Sequence, residues 1–197
     1  MKTHGLSVLN RAALTASLLL LPAIAYGQTW TATMNGATEA PPIVTSATGF
    51  ATMTLTGSSL FFSITWSGIE GGLPSAAHIH CCIPVGGNVI VAVPFTGFPK
   101  TNSGTYTNTF DLSLASTYNS VFVTNNGGTA ASAQLALIKG FNAGEAYTNI
   151  HNAVSPGGEI RGIITLATPE PSSIALMLAG LLAVGAAARR KRNSHAA

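Results

Sequence analysis

The stretch "GFATMTLTGSSLFFSITWS", Gly49 to Ser67, decides the fold. Leu60, Phe62, Ile64 and Trp66 fall on one face of an extended chain, with Phe61, Ser63, Thr65 and Ser67 on the other, because side chains two apart share a face. Ala51, Met53 and Leu55 alternate with Thr52, Thr54 and Thr56 in the same way. Gly57-Ser58 separates the two runs, and so short a break led by glycine is a hairpin connection.

Working outward, the same pattern predicts strands over Trp30–Asn35, Ala76–His80, Val89–Val93, Thr105–Leu112, Ala146–His151 and Glu159–Leu166. Gly, Pro or Asn punctuates nearly every gap. One segment departs from it. "AASAQLALIKG" is rich in helix formers and ends in Gly140, which predicts a short helix closed by a glycine. Thr, Ser, Gly and Asn are abundant and charges scarce, the composition of an exported β-rich domain. The expected fold is an all-β, antiparallel, Greek-key-like sandwich with one short helix.

Charge is distributed unevenly. Between Gln28 and Thr168, Lys100, Lys139 and Arg161 stand against Glu39, Glu70, Asp111, Glu145 and Glu159. This body is mildly acidic and has no basic patch, which argues against nucleic acid binding. The remaining cations sit at the ends. Lys2 and Arg11, the apolar run "AALTASLLLLPAIA" and the small-x-small triplet Ala25-Tyr26-Gly27 form a secretory signal over residues 1–27. A retained signal anchor is the alternative, and Pro22 with the small residues after it favours cleavage. At the other end, Pro169, Glu170 and Pro171 lead into the apolar run Ser172 to Ala188, followed by Arg189, Arg190, Lys191 and Arg192. That run, roughly 17 residues, is at the lower limit for a transmembrane helix, and the cations behind it belong on the cytoplasmic side.

The order Pro-Glu-Pro, apolar helix and basic cluster over 168–192 resembles a PEP-CTERM sorting signal, with 193–197 left as a short polar tail. An ordinary tail anchor would share everything but the Pro-Glu-Pro. The resemblance implies export across the inner membrane of a Gram-negative bacterium, transient anchoring there, and an exosortase-type membrane protease as partner. Three further stretches fall into one pattern: "EAPPIVTSATGFATMTL", "GLPSAAHIH" and "GEAYTNIHNAVSPGGEIRGII". Residues 28–167, which contain them, resemble a CHRD domain, a β-sandwich module named from the animal protein chordin. The last stretch carries the closest match, through Tyr147, Asn149, His151, Pro156, Gly157, Gly158, Glu159, Arg161 and Gly162. Cys81-Cys82 departs from the Gly-Pro-rich loop that many members have after the position of His80. The resemblance implies an extracellular module with no established catalytic activity.

Strand geometry gathers the candidate site. His78 and His80 project together, as do Asn149 and His151, and Glu159 and Arg161. If the strands are neighbours, these six form one polar cluster, with Glu159 pairing Arg161 and orienting a histidine. The alternative is a metal site: His-x-His plus a remote histidine suits one Cu or Zn ion. His4 lies in the leader and His195 in the tail, so the body offers only His78, His80 and His151. Cys81 and Cys82 are best read as a vicinal disulfide that stiffens the loop before Ile83-Pro84. Thiolate ligation beside the histidines and a link to another chain are the rivals.

No nucleophile elbow, Ser-His-Asp order or His-Glu-x-x-His occurs, and Glu39 and Glu70 lie in turns with nothing to pair them. Phe95, Phe98 and Tyr106 fit core packing better than a sugar-stacking surface. The function expected is a non-enzymatic cell-surface or matrix module that binds an envelope polysaccharide or protein. A metal-binding or redox protein is the alternative.

Overall fold

The computed structural model describes residues 27–84, 86–167 and 171–193. The leader reading falls, but for Gly27, outside the described residues, as do Pro169 and Glu170.

Nine antiparallel strands make the body: β1 (Gln28–Asn35), β2 (Thr48–Thr56), β3 (Ser59–Ser67), β4 (Ala76–Cys81), β5 (Val91–Pro94), β6 (Gly104–Asp111), β7 (Ala146–His151), β8 (Ile160–Ile163) and β9 (Thr165–Leu166). They form one continuous sheet in the order β5-β4-β7-β8-β1-β2-β3-β6, with β9 also on β1. The body is thus mostly antiparallel β, as expected, with its strands linked into one continuous curled sheet. β1 is the reason. It pairs along its whole length with β2, and on its other side meets β8 at Asn35–Arg161 and β9 at Trp30–Leu166. One strand thus joins both halves, and the sheet curls to enclose its apolar face.

The alternation read from Gly49–Ser67 holds. Leu60, Phe62, Ile64 and Trp66 are buried, and Phe61, Ser59 and Ser67 are exposed. Gly57 takes φ 61° at the first turn position between Thr56 and Ser59, the conformation a glycine-led two-residue hairpin requires. Phe95 and Tyr106 are buried, and Phe95 lies 4.5 Å from Phe62 and 5.5 Å from Tyr106 between ring centres. Phe98 stacks on Trp66 at 4.5 Å. Phe95 and Tyr106 are core rings, and Phe98 packs half-buried against them.

Two helices replace the single one expected. α1 is Ser120–Asn125, and α2 is Ala130–Ala143. The α2 N-terminus is fixed by a reciprocal capping box between Thr129 and Ser132. Its end is Gly144 at φ 68°, so Gly140, expected to be the stop, lies inside the helix. Ala133, Leu137, Gly140 and Phe141 face the core, and Phe141 meets Trp30 edge-on at 5.2 Å. α3 (Pro171–Asn193) carries exposed Leu176, Met177, Leu178, Leu181, Leu182 and Val184. Among the described residues no helix is long and apolar enough to cross a membrane.

Candidate functional site

β4, β7 and β8 are adjacent, with His78 opposite Asn149, His80 opposite Tyr147, and Asn149 opposite Arg161. Neighbouring strands in register place these side chains on one face of the sheet. Every residue of β7 is buried, so the polar ones must find partners there.

Arg161 is the centre of the network and is 1 % exposed. Its Nε donates to Glu39 Oε2 at 2.9 Å and its Nη2 makes an ion pair with the same oxygen at 2.8 Å. Nη1 donates to the Gly87 carbonyl at 2.9 Å, and Nη2 to Asn88 Oδ1 at 2.6 Å. The guanidinium carbon also stands 3.8 Å over the Tyr147 ring. Three hydrogen bonds and the ion pair thus engage four of the five N–H groups of this buried cation.

Glu39 is the carboxylate the sequence reading missed. It is buried beside Arg161, and burial pushes its carboxyl up against the pull of that guanidinium. The signal available was arithmetic. A buried arginine needs an anion, and only five carboxylates lie in the body. Glu159 is not the partner. Its Oε1 accepts from Thr45 Oγ1 at 2.7 Å and from the Glu70 amide at 2.9 Å, and its Oε2 accepts from Asn152 Nδ2. It pins three loops together and leaves the histidines alone. Glu70 in turn accepts from Ser46, so both glutamates set aside as unpaired turn residues are engaged.

The three histidines converge, with one ring nitrogen of each within 4.8 Å of the others. His80 Nδ1 lies 2.6 Å from the Val89 carbonyl, and His151 Nδ1 lies 2.9 Å from the Pro156 carbonyl. A carbonyl only accepts, so each Nδ1 carries a proton, and neutral His80 keeps its lone pair on Nε2. His151 Nε2 lies 3.2 Å from His78 Nδ1 and 2.9 Å from Asn149 Oδ1. His80 Nε2 is buried and has no hydrogen-bond partner. The His80 ring lies flat on Tyr147, 4.6 Å between centres and 8° from parallel.

Burial disfavours the charged form of all three imidazoles. His78 falls to about 4 through burial and the neighbouring His151 and His80. His80 falls to about 4 through burial, against the pull of Val89 and, weakly, of the neighbouring Asn149 side chain, which lies outside hydrogen-bond geometry, with His151 and Arg161 adding to the fall. His151 is lowered by burial first, then by Arg161, against the bond to Pro156.

Cys81 and Cys82 form a disulfide with each other. Cys81 follows His80 and so faces the other side of β4, where it belongs to the apolar core. Cys82 Sγ lies 3.4 Å from the Ala136 carbonyl oxygen of α2. The sulfurs therefore seat a helix, and the side chains grouped closely enough to share one ion are the three histidines without them.

Two comparisons identify the chain's parts. The family model of the CHRD domain matches residues 30–164, and that of the PEP-CTERM protein-sorting motif matches residues 167–192. No curated protein and no solved structure matches.

Proposed function

Because the chain belongs to the CHRD domain family and ends in a PEP-CTERM protein-sorting motif, we propose that it is an exported surface or matrix module that binds an envelope component. The sorting motif directly behind the domain is the observation that carries this reading. The domain crosses the inner membrane, α3 holds it there for a time, and an exosortase-type enzyme processes the tail.

Three features support the anchoring step. The exposed leucines of α3 are left outside the core. Arg189, Arg190, Lys191 and Arg192 follow the apolar run. The run Ser172 to Ala188, rising about 1.5 Å per residue, reaches about 25 Å, short of the roughly 30 Å of a hydrocarbon core. A helix that spans poorly suits a temporary hold.

The non-enzymatic part of the reading rests on how the polar groups are used. Glu39 and Glu159, the buried carboxylates, are committed to Arg161 and to loop hydroxyls and amides. Neither pairs with a second group as acid and base. The ligand is a polysaccharide or protein of the envelope, outside the inner membrane.

Replacing Pro169-Glu170-Pro171 by alanines in the native host tests the sorting step. Full-length protein should then accumulate in the inner membrane fraction; unchanged release of the shortened form would refute it. Capture of envelope extract on the purified domain tests binding, and recovery of nothing above a denatured-protein control counts against it.

A further inference from the structure

We propose that His78, His80 and His151 form a binding site for a single late first-row transition-metal ion, with copper and zinc as its chemical class. The proposal goes beyond sorting and surface attachment and does not depend on either.

Four observations carry it. The first is convergence. Nitrogens on one ion at about 2.0 Å stand roughly 3.4 Å apart, and these three already lie within 4.8 Å of one another. Small ring rotations close the difference. The second is orientation. His80 and His151 each give the Nδ1 proton to a backbone carbonyl, Val89 and Pro156. That is the outer bond that fixes a ligating imidazole; it leaves Nε2 of His80 bare, while Nε2 of His151 faces His78 Nδ1 and the Asn149 side-chain amide.

The third is the unpartnered nitrogen. His80 is 8 % exposed, and its Nε2 is buried with no partner. A buried polar atom left bare costs stability unless something occupies its lone pair. Phe would keep the stack on Tyr147 but lose the bond to Val89, so the Nδ1 side of His80 has a structural task and its Nε2 has none. The fourth is access. His78 is only half-buried, so the cluster opens to solvent through one ring while the other two stay enclosed.

Donor chemistry narrows the ion. Three imidazoles with no carboxylate and no thiolate exclude hard ions such as Ca²⁺ and Mg²⁺, which need oxygen ligands. Among divalent first-row ions such donors hold copper tightest, and zinc also accepts three imidazoles with an open position. Arg161 is nearby, but its charge is matched by Glu39 at 2.8 Å, so it does not bar a cation.

The test uses the full chain in detergent, without a polyhistidine tag, stripped by chelator and then titrated separately with Cu²⁺ and with Zn²⁺ against a competing chromogenic chelator. The expected result is one equivalent of at least one of these ions retained through gel filtration. His80→Phe, which keeps the stack on Tyr147, should weaken retention at least 100-fold, and His78→Gln should weaken it measurably while sparing the buried rings. For copper, the electron paramagnetic resonance spectrum of the wild type should show nitrogen coupling from bound imidazole, a readout that needs no variant. Failure of the wild type to retain either ion overturns the site. So does equal retention by wild type and a His80→Phe protein that melts cooperatively.

Discussion

Gly140→Ala is the sharpest probe of how α2 is seated. In the interior of a solvated helix this change is stabilising, by about 1 kcal/mol of propensity. Here a Cβ on residue 140 would lie 2.7 Å from Cys82 Sγ and closer still to Cys81 Sγ. Comfortable contacts between such atoms begin near 3.5 Å. The sulfurs are bonded to each other and Cys81 is locked in the core, so neither can swing aside alone. The helix must lift, and its lift would disturb Phe141 against Trp30. Overpacking of this kind costs about 1–3 kcal/mol, and a rigid obstacle puts the cost at the upper end. Subtracting the propensity gain leaves a net loss of about 2 kcal/mol. For a domain of this size that lowers the melting temperature by roughly 6–10 °C. The assay is urea and thermal unfolding of four proteins: wild type, Gly140→Ala, Cys81→Ala/Cys82→Ala, and the triple variant. Without the sulfurs there is room for the methyl, so Gly140→Ala should become neutral or stabilising in the cysteine-free background. A stabilising effect in the disulfide-containing protein, or the same effect in both backgrounds, refutes the seating argument.

Glu39→Gln leaves Arg161 buried without its counter-charge, and should cost about 3–5 kcal/mol in denaturant unfolding; a loss below 1 kcal/mol would contradict a buried pair. Gly158→Ala should cost about 2 kcal/mol or more, because Gly158 sits at φ 126° and a Cβ there would press on the Glu39 carboxylate and Asn149 Nδ2. Burial and neighbouring groups hold His78 and His80 at about 4, below the ordinary 6.5. The unfolded chain therefore binds the extra protons: stability is complete above about pH 6.5 and falls as pH drops toward 4. Urea midpoints across that range should decline, less steeply in His80→Phe, and a midpoint that rises on acidification would reverse the sign of the argument.

The sequence displayed its strands well because their faces differ in chemistry. Alternation over Gly49–Ser67 gave the buried set of β3 residue by residue, since one face of that strand meets water and the other the core. β7 gave no such contrast. All six of its residues are buried, and the polar ones among them show up only as a motif. The joining of two half-sheets by β1 was not legible at all, because both of its edges are used and pairing partners leave no mark on a single strand's periodicity. Gly140 was noticed for the wrong reason. A glycine near the end of a helical run reads as a stop, whereas here it admits two sulfurs contributed from residues 81 and 82. The pairing of Glu39 with Arg161 spans 122 positions. Local pattern carries no information at that range, and only the cost of burying an unmatched cation pointed to such a partner.

The position of His80 follows from Arg161 by two separate routes. On one side, the guanidinium donates to Gly87 and Asn88, the residues just before Val89, whose carbonyl fixes His80 Nδ1. On the other, it stands over Tyr147, whose ring also stacks on His80 at 4.6 Å. Tyr147 belongs to β7, between the strands that carry Arg161 and His80. The loop sets which nitrogen of His80 is protonated, and the stack sets the plane of its ring. A lysine at 161 would keep the charge but has neither the planar fork nor the flat face for these tasks. Arg161→Lys should therefore blur the His80 side-chain resonances in nuclear magnetic resonance while β3 and β6 keep their chemical shifts. Sharp, unmoved His80 signals in that variant would mean the ring is held by β4 alone.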